Sequence, residues 1–380
     1  MNTLVNTLMN IAYVYPWDVV GDPAAPDRLA ALGVDAVALA ATYHSTRAAT
    51  PHHPAHRVLD VPYSACYLPI RPSAWGRLVP SAPTWTSPDA YLLARDALKA
   101  AGLRVHAWTV LTHNSRLGAA HPDLVVRNAF GDPYPHALCP AHEDVLDYCE
   151  RLVREVLELG EPDGIVLESC GPMGFAHQSA HEKTAGADWD ALDAELLSLC
   201  FCTACAGRLP AGVRERVRAA VGSPAASIED VLGPDADKVR AVRVGLSAVL
   251  RARLIAVSRL VAPDVPITLH ANPDPWATAA FAALPDGDPG LDVLVGNCWG
   301  DQVTDAARLA RLAESAAPGQ RVGAYVLALP PRPADGEVLA AQLRIYAEAG
   351  ATEFHLYHAG LASPRRLAAM AEALRLVGVS

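Results

Sequence analysis

Residues 162–175 read PDGIVLESCGPMGF: the apolar run Ile165-Val166-Leu167 ends on a carboxylate, Glu168, and the chain then breaks on Gly171 and Pro172. A carboxylate at the end of a buried strand must be paired, hydrated or shifted in pKa. The residues after it, SCGPMG, carry no lysine or arginine to pair it, so Glu168 reads as a group kept for chemistry. Cleavage of a glycosidic bond needs two carboxyl groups, one to protonate the leaving group and one to attack or to activate water.

Other apolar runs end on chemically capable residues. The first ends on Tyr13, Tyr15, Trp17 and Asp18, and the second on Tyr43 and His44. The third leads through Trp108 to His113 and Asn114. Later runs end on His270, Asn272 and Asp274, on Asn297, Trp299 and Asp301, on Tyr325, and on Tyr357 and His358. Aromatic faces beside groups that both donate and accept hydrogen bonds suit polyhydroxylated ligands. A small carbohydrate is therefore the expected partner. Each aromatic alone could be ordinary core, and only their recurrence across strands carries weight.

The elements that must position these residues are eight short β-type runs at 10–15, 35–40, 104–110, 164–168, 266–271, 292–297, 322–327 and 353–358. Helical stretches rich in Ala, Leu and Arg separate them. Near-continuous apolar strands alternating with amphipathic helices predict a parallel sheet covered by helices, and eight such units close into a (β/α)8 TIM barrel of the α/β class. An open doubly wound sheet fits less well, because YVYPWDVVGDP after the first strand is no glycine-rich phosphate loop. We expect one barrel domain over 1–380, with an insertion at 42–87 after strand 2 and another at 170–262 after strand 4 that carries a cysteine cluster and a long helix. Strand ends at the C-terminal face build barrel active sites.

With 51% hydrophobic and 19% charged residues, the 380-residue chain has material for a full core. A formal charge of -10 argues against nucleic acid or an anionic membrane as partner. No basic leader and no apolar run of roughly 18–20 residues is present, which predicts a cytoplasmic protein. Its eight cysteines then read as thiols or metal ligands in preference to disulfides.

The run HPDLVVRNAFGDPYPHALCPAHEDVLDYCERLVREVLELGEPDGIVLES resembles the centre of barrel proteins described as hypothetical glycoside hydrolases. There a His-Pro segment, an Asn-x-x-Gly turn and a Pro-bearing stretch precede a helix and a strand ending in an acid. The following LCFCTACAGRL is similar to the Cys-x-Cys-x-x-Cys segment of those proteins and of the bacterial beta-galactosidase family, which can carry a structural zinc. The resemblance covers roughly residues 105–210 and implies carbohydrate-active chemistry. Cys200, Cys202 and Cys205 either remain thiols or supply three ligands to a tetrahedral zinc, with Cys170 or Cys139 the fourth and Cys170 preferred. In both cases they brace the long insertion. His177, His181, Glu182 and Lys183 of HQSAHEKTAG belong to the same insertion.

The beta-galactosidase pattern places its acid/base on the fourth strand and its nucleophile on the seventh, but here the seventh, VGAYVLALPP, has no acid. A fourth-strand nucleophile with a sixth-strand acid resembles alpha-galactosidase-like barrels. That layout implies Glu168 as nucleophile or base and Asp301 as general acid, or the reverse, by a mechanism that needs no cofactor. Asp301 also fits as an N-cap, and Asp18, Asp274 and Glu182 stand in reserve. Two other classes remain open: a metal-dependent sugar isomerase, epimerase or lyase using Glu168, His270 and Asp301, and a non-catalytic sugar-binding barrel. Composition leaves the oligomeric state open.

Overall fold

The computed structural model describes residues 8–178 and 182–378. Eight parallel strands form a closed ring: β1 (Met9–Val14), β2 (Ala36–Tyr43), β3 (Arg104–Val110), β4 (Gly164–Glu168), β5 (Ile267–Asn272), β6 (Val293–Cys298), β7 (Arg321–Leu327) and β8 (Glu353–Tyr357). Each pairs with the next, and β1 pairs with both β2 and β8, so no barrel edge is left open. This is the expected (β/α)8 TIM barrel. Its strands read as apolar runs because both faces are covered; every residue of β2 is buried.

Seven helices cover the ring: α1 (Ala25–Ala30), α2 (Ala90–Ala100), α3 (Glu143–Gly160), α4 (Ala236–Val261), α5 (Gln302–Ser315), α6 (Gly336–Glu348) and α7 (Pro364–Gly378). The alternation breaks once, because the β5–β6 connection contains no helix. In α3 the buried residues Val145, Cys149, Leu152, Val153 and Val156 recur at three- and four-residue spacing, the face that packs on the barrel. The helix ends where Glu161 turns to φ 41° and Pro162 forbids continuation.

Three βα connections are long. After β2, an antiparallel hairpin (Thr46–Ala49 with Val58–Val61) rises from the ring. After β3 come a short helix, Ser115–Ala120, and a second hairpin, Val125–Arg127 with Pro133–Leu138. The connection after β4 carries small helices that bury Leu196, Phe201, Val213, Val217, Ile228 and Leu232 in a core of their own. All three leave the C-terminal ends of their strands, where they wall the mouth of the barrel.

The barrel interior is unusually polar. His106, His270, His355 and Glu353 are buried within it. Gly323 makes room for one of these rings: a Cβ there would lie 2.9 Å from His355 and 2.9 Å from Val295.

Candidate active site

Glu168 ends β4 as expected and is buried at the base of a cavity of about 320 Å³. That volume lies at the lower end of the roughly 300–1,000 Å³ typical of small-molecule sites. The walls are Tyr43 and His44 from β2, Trp108 from β3, Asn272 from β5, Asn297 and Trp299 from β6, and Tyr325 and Tyr357 from β7 and β8. Trp299 stacks on Tyr325 with centroids 5.4 Å apart and leans on Tyr357 at 4.7 Å, giving one broad aromatic wall. Phe281, Arg308 and His177 complete the lining, and none of these three stood among the preferred candidates.

The remaining candidates lie elsewhere. Tyr15 is fully buried, stacked 4.4 Å from Trp17 and 4.2 Å from His358, and forms a layer outside the cavity lining. Asp18 accepts from the Tyr15 backbone at 2.8 Å and packs against Gly360; burial pushes its carboxyl up to about 7. Asn114 caps the Ser115–Ala120 helix by accepting from Leu117 N at 3.0 Å. His113 is buried beside His44, with ring centroids 4.2 Å apart.

Asp301 corrects the expected pairing. It is exposed at the N-cap of α5, accepting from Thr304 N at 3.0 Å, and is not among the residues lining the cavity. Helix capping wants the same residue type just beyond a strand that catalysis would want. Glu168 is the one carboxylate on the cavity wall among the described residues.

The state of Glu168 follows from its neighbours. Burial pushes its pKa up, but the adjacent His270 ring, with His44 and His177 beyond it, outweighs burial and holds it below the ordinary glutamate value. Trp108 donates its indole Nε1–H to Oε2 at 2.7 Å. His270 Nδ1 lies 3.3 Å from the same oxygen. Burial lowers His44 to about 4 and His113 further, so both rings are neutral at pH 7.

Behind Glu168 runs a chain that crosses the barrel interior. The Tyr13 hydroxyl sits 2.9 Å from His270 Nε2 and 3.1 Å from His355 Nδ1. His355 Nε2 meets Glu353 Oε2 at 3.1 Å, and Glu353 pairs with Arg321 at the far end of the barrel. The single Tyr13 hydroxyl proton can serve only one of the two rings, so the hydroxyl donates to one imidazole and accepts from the other. His270 Nδ1, beside Glu168, makes no hydrogen bond among the described residues. Sequence reading missed this chain, although Glu353, His355 and Tyr357 stand on one face of a strand with period two.

Tyr13→Phe keeps the ring and deletes the bridge, leaving two buried imidazole nitrogens without their partner. We expect a loss of about 1–3 kcal/mol in stability, read as a lower urea midpoint at unchanged m-value. An unchanged midpoint would show that the hydroxyl does not bridge the two rings.

A second cluster lies in the walls. Cys139, Cys200, Cys202 and Cys205 bring their sulfurs within 4.8 Å of one another, with Cys139 3.6–3.8 Å from the other three. Tetrahedral zinc with Zn–S near 2.3 Å requires sulfurs about 3.8 Å apart, so the four thiols fit that ion. Cys139, at the end of the Pro133–Leu138 strand, supplies the fourth corner in place of the preferred Cys170, which is buried nearer Arg251 and Asp288. His181 lies outside the described residues. Glu182 is exposed and accepts from the backbone of Lys183 and Thr184, and it does not line the cavity.

No protein-family model matches the sequence and no curated protein does so. Solved structures do share the fold. The glycoside hydrolase domain of PgaB (BpsB) from Bordetella bronchiseptica superposes with a TM-score of 0.54 at 17% identity, covering 92% of this chain and 94% of that one. Alpha-L-fucosidase isoenzyme 2 from Paenibacillus thiaminolyticus gives 0.53 at 12% identity, over 97% of this chain and 49% of the fucosidase. A catalytic mutant of a GH42 beta-galactosidase from G. stearothermophilus gives 0.55 at 11%, over 98% and 57%. This chain thus spans about half the length of the fucosidase and somewhat more of the galactosidase. At such identities the likeness is one of fold: these glycoside hydrolases and this chain share a barrel architecture.

Proposed function

We propose that this barrel binds a small carbohydrate or glycoside between its aromatic walls and acts on the glycosidic bond through Glu168. The observation that carries the reading is Glu168, buried at the end of β4 and facing a cavity walled by Trp108, Trp299, Tyr325 and Tyr357. An ionised carboxylate at that place is suited to attack the anomeric carbon or to deprotonate water, not to donate a proton. With no second carboxyl on the wall among the described residues, the aglycone departs as its anion, so activated aryl glycosides are the expected substrates. Against burial, His270 beside Glu168, with His44 and His177, favours the ionised state. Structures of glycoside hydrolases with the same architecture support the class by analogy.

Screening the purified chain against a panel of aryl glycosides tests the reading. Turnover of at least one glycoside is expected, and its absence across α- and β-linked hexosides would defeat it. A non-catalytic sugar-binding barrel is the second reading, favoured by the single carboxylate on the wall. It is distinguished by sugar binding without turnover.

We also propose that Cys139, Cys200, Cys202 and Cys205 hold a structural zinc that ties the connection after β3 to the one after β4. Four thiolates fill a tetrahedral shell, so the ion braces the wall and takes no part in the reaction. Among the described residues no helix is long and apolar enough to cross a membrane.

A further inference from the structure

We propose that His44, His113 and His177 form a binding site for a divalent transition-metal ion, such as Zn²⁺ or Co²⁺, on the wall of the Glu168 cavity. This stands on the imidazoles themselves and does not depend on the hydrolase reading.

The three side chains come from different connections: His44 follows β2, His113 follows β3 and His177 follows β4. Nothing in local sequence requires them to meet, yet one ligand atom of each lies within 4.8 Å of the other two. Their rings are 4.2 Å apart for His44 and His113, 5.3 Å for His113 and His177, and 5.7 Å for His44 and His177. Tetrahedral coordination at about 2.0–2.1 Å would place the nitrogens about 3.4 Å apart. Convergence on one ion requires His44 or His113 to turn out of their stack, in which the rings lie 24° from parallel, and the exposed His177 to swing toward them.

Two further observations point to a ligand. His113 is 1% exposed, and neither of its ring nitrogens finds a hydrogen-bond partner among the described residues. A buried polar group left so costs about 1–3 kcal/mol, and ring stacking on His44 does not satisfy an in-plane lone pair; a metal would. His44 Nδ1 lies 2.9 Å from the Ser45 carbonyl. A carbonyl only accepts, so the neutral ring carries its proton on Nδ1. That backbone contact is the outer-shell arrangement that orients metal-binding histidines.

Three imidazole nitrogens select Zn²⁺, Co²⁺, Ni²⁺, Cu²⁺ or Fe²⁺ over Mg²⁺ or Ca²⁺, which prefer oxygen. His44 and His177 line the same cavity as Glu168, whose charge offsets part of the ion's. Three protein ligands leave a fourth position, directed at the cavity, where an oxygen of water or of a bound polyol can enter.

The test is cobalt(II) titration of the full chain after exhaustive chelation, followed by absorption and by metal analysis. Ions at the four-cysteine cluster give sulfur-to-metal charge transfer, whereas ions at the imidazoles give only weak visible bands. A second equivalent without sulfur charge transfer is expected. His177→Ala, a change at an exposed side chain, should weaken that equivalent by at least about tenfold and leave the thiolate equivalent unchanged. His113→Ala should do the same if it folds, and His177→Ala decides the matter if it does not. A wild-type chain that binds no such equivalent, or a His177→Ala chain that binds it with unchanged affinity, overturns the proposal. Because the readout is metal binding and not turnover, the outcome is separate from that of the glycoside screen.

Discussion

Glu168→Gln is expected to lower kcat on a hydrolysed aryl glycoside by about 10³-fold or more, with ligand affinity changed by no more than a few-fold. Glutamine matches the shape of Glu168, and its carbonyl oxygen can still accept the Trp108 indole N–H that now bonds Oε2 at 2.7 Å. It cannot supply a negative charge, attack an anomeric carbon or take a proton from water. The aromatic wall of Trp299, Tyr325 and Tyr357 is untouched, so the part of the site expected to contact sugar faces persists.

The pH dependence has a definite sign. His270 and its neighbours hold the Glu168 pKa below the ordinary glutamate value, so the ionised form survives further into acid than usual. Activity that needs this form is lost as pH falls through the lowered pKa. The acid limb of kcat/KM should therefore lie at lower pH than an ordinary glutamate would give. Equal turnover by the wild type and Glu168→Gln would remove Glu168 from the chemistry. Equal sugar binding by both, with turnover by neither, would establish the binding barrel instead.

Loss of the cysteine-bound metal should give the other large effect. Purified protein is expected to carry about one zinc per chain at the four-thiol cluster, and Cys139→Ser to lose it. An ion bound at a thousandfold above its Kd stabilises the folded state by about 4 kcal/mol, so a fall in Tm of about 5 °C or more is expected. The damage should be local before it is global. Cys202 and Cys205, with Cys200 against them, pack with Cys139, Val126, Ala137 and Met173 in a separate cluster that joins the β4 connection to the neighbouring wall. Limited proteolysis should accordingly cut first within residues 183–235. Metal analysis showing no zinc, with Cys139→Ser melting as the wild type, would leave these residues as plain buried thiols.

The barrel was legible in the sequence because its signal is local: each strand is a short apolar run, each helix an amphipathic stretch, and a helix follows seven of the eight strands. Glu168 was legible for the same reason, as an acid that closes an apolar run with no cation beside it. The aromatic and amide residues at the other strand ends needed only the barrel rule, and Tyr43, Trp108, Asn272, Asn297, Trp299, Tyr325 and Tyr357 do line one cavity.

Asp301 shows where local signal fails. An acid just past a strand and just before a helix can face a cavity or cap the helix, and the two share one sequence pattern. Here the backbone N–H of Thr304 takes it. Sequence reading prefers Cys170 to Cys139 as the fourth cysteine, since no spacing ties either to the other three; only the fold brings Cys139 to within 3.6–3.8 Å of their sulfurs. Tyr13, His270 and His355 become one hydrogen-bonded chain because the closed sheet brings strands from distant parts of the sequence round one interior. His44, His113 and His177 become one cluster because the loops after the neighbouring strands β2, β3 and β4 meet at the mouth. The alternation of residue types along the chain thus determined the architecture and the place of the acid, whereas pairings between distant residues, which depend on strand register and loop path, were decided by the tertiary structure alone.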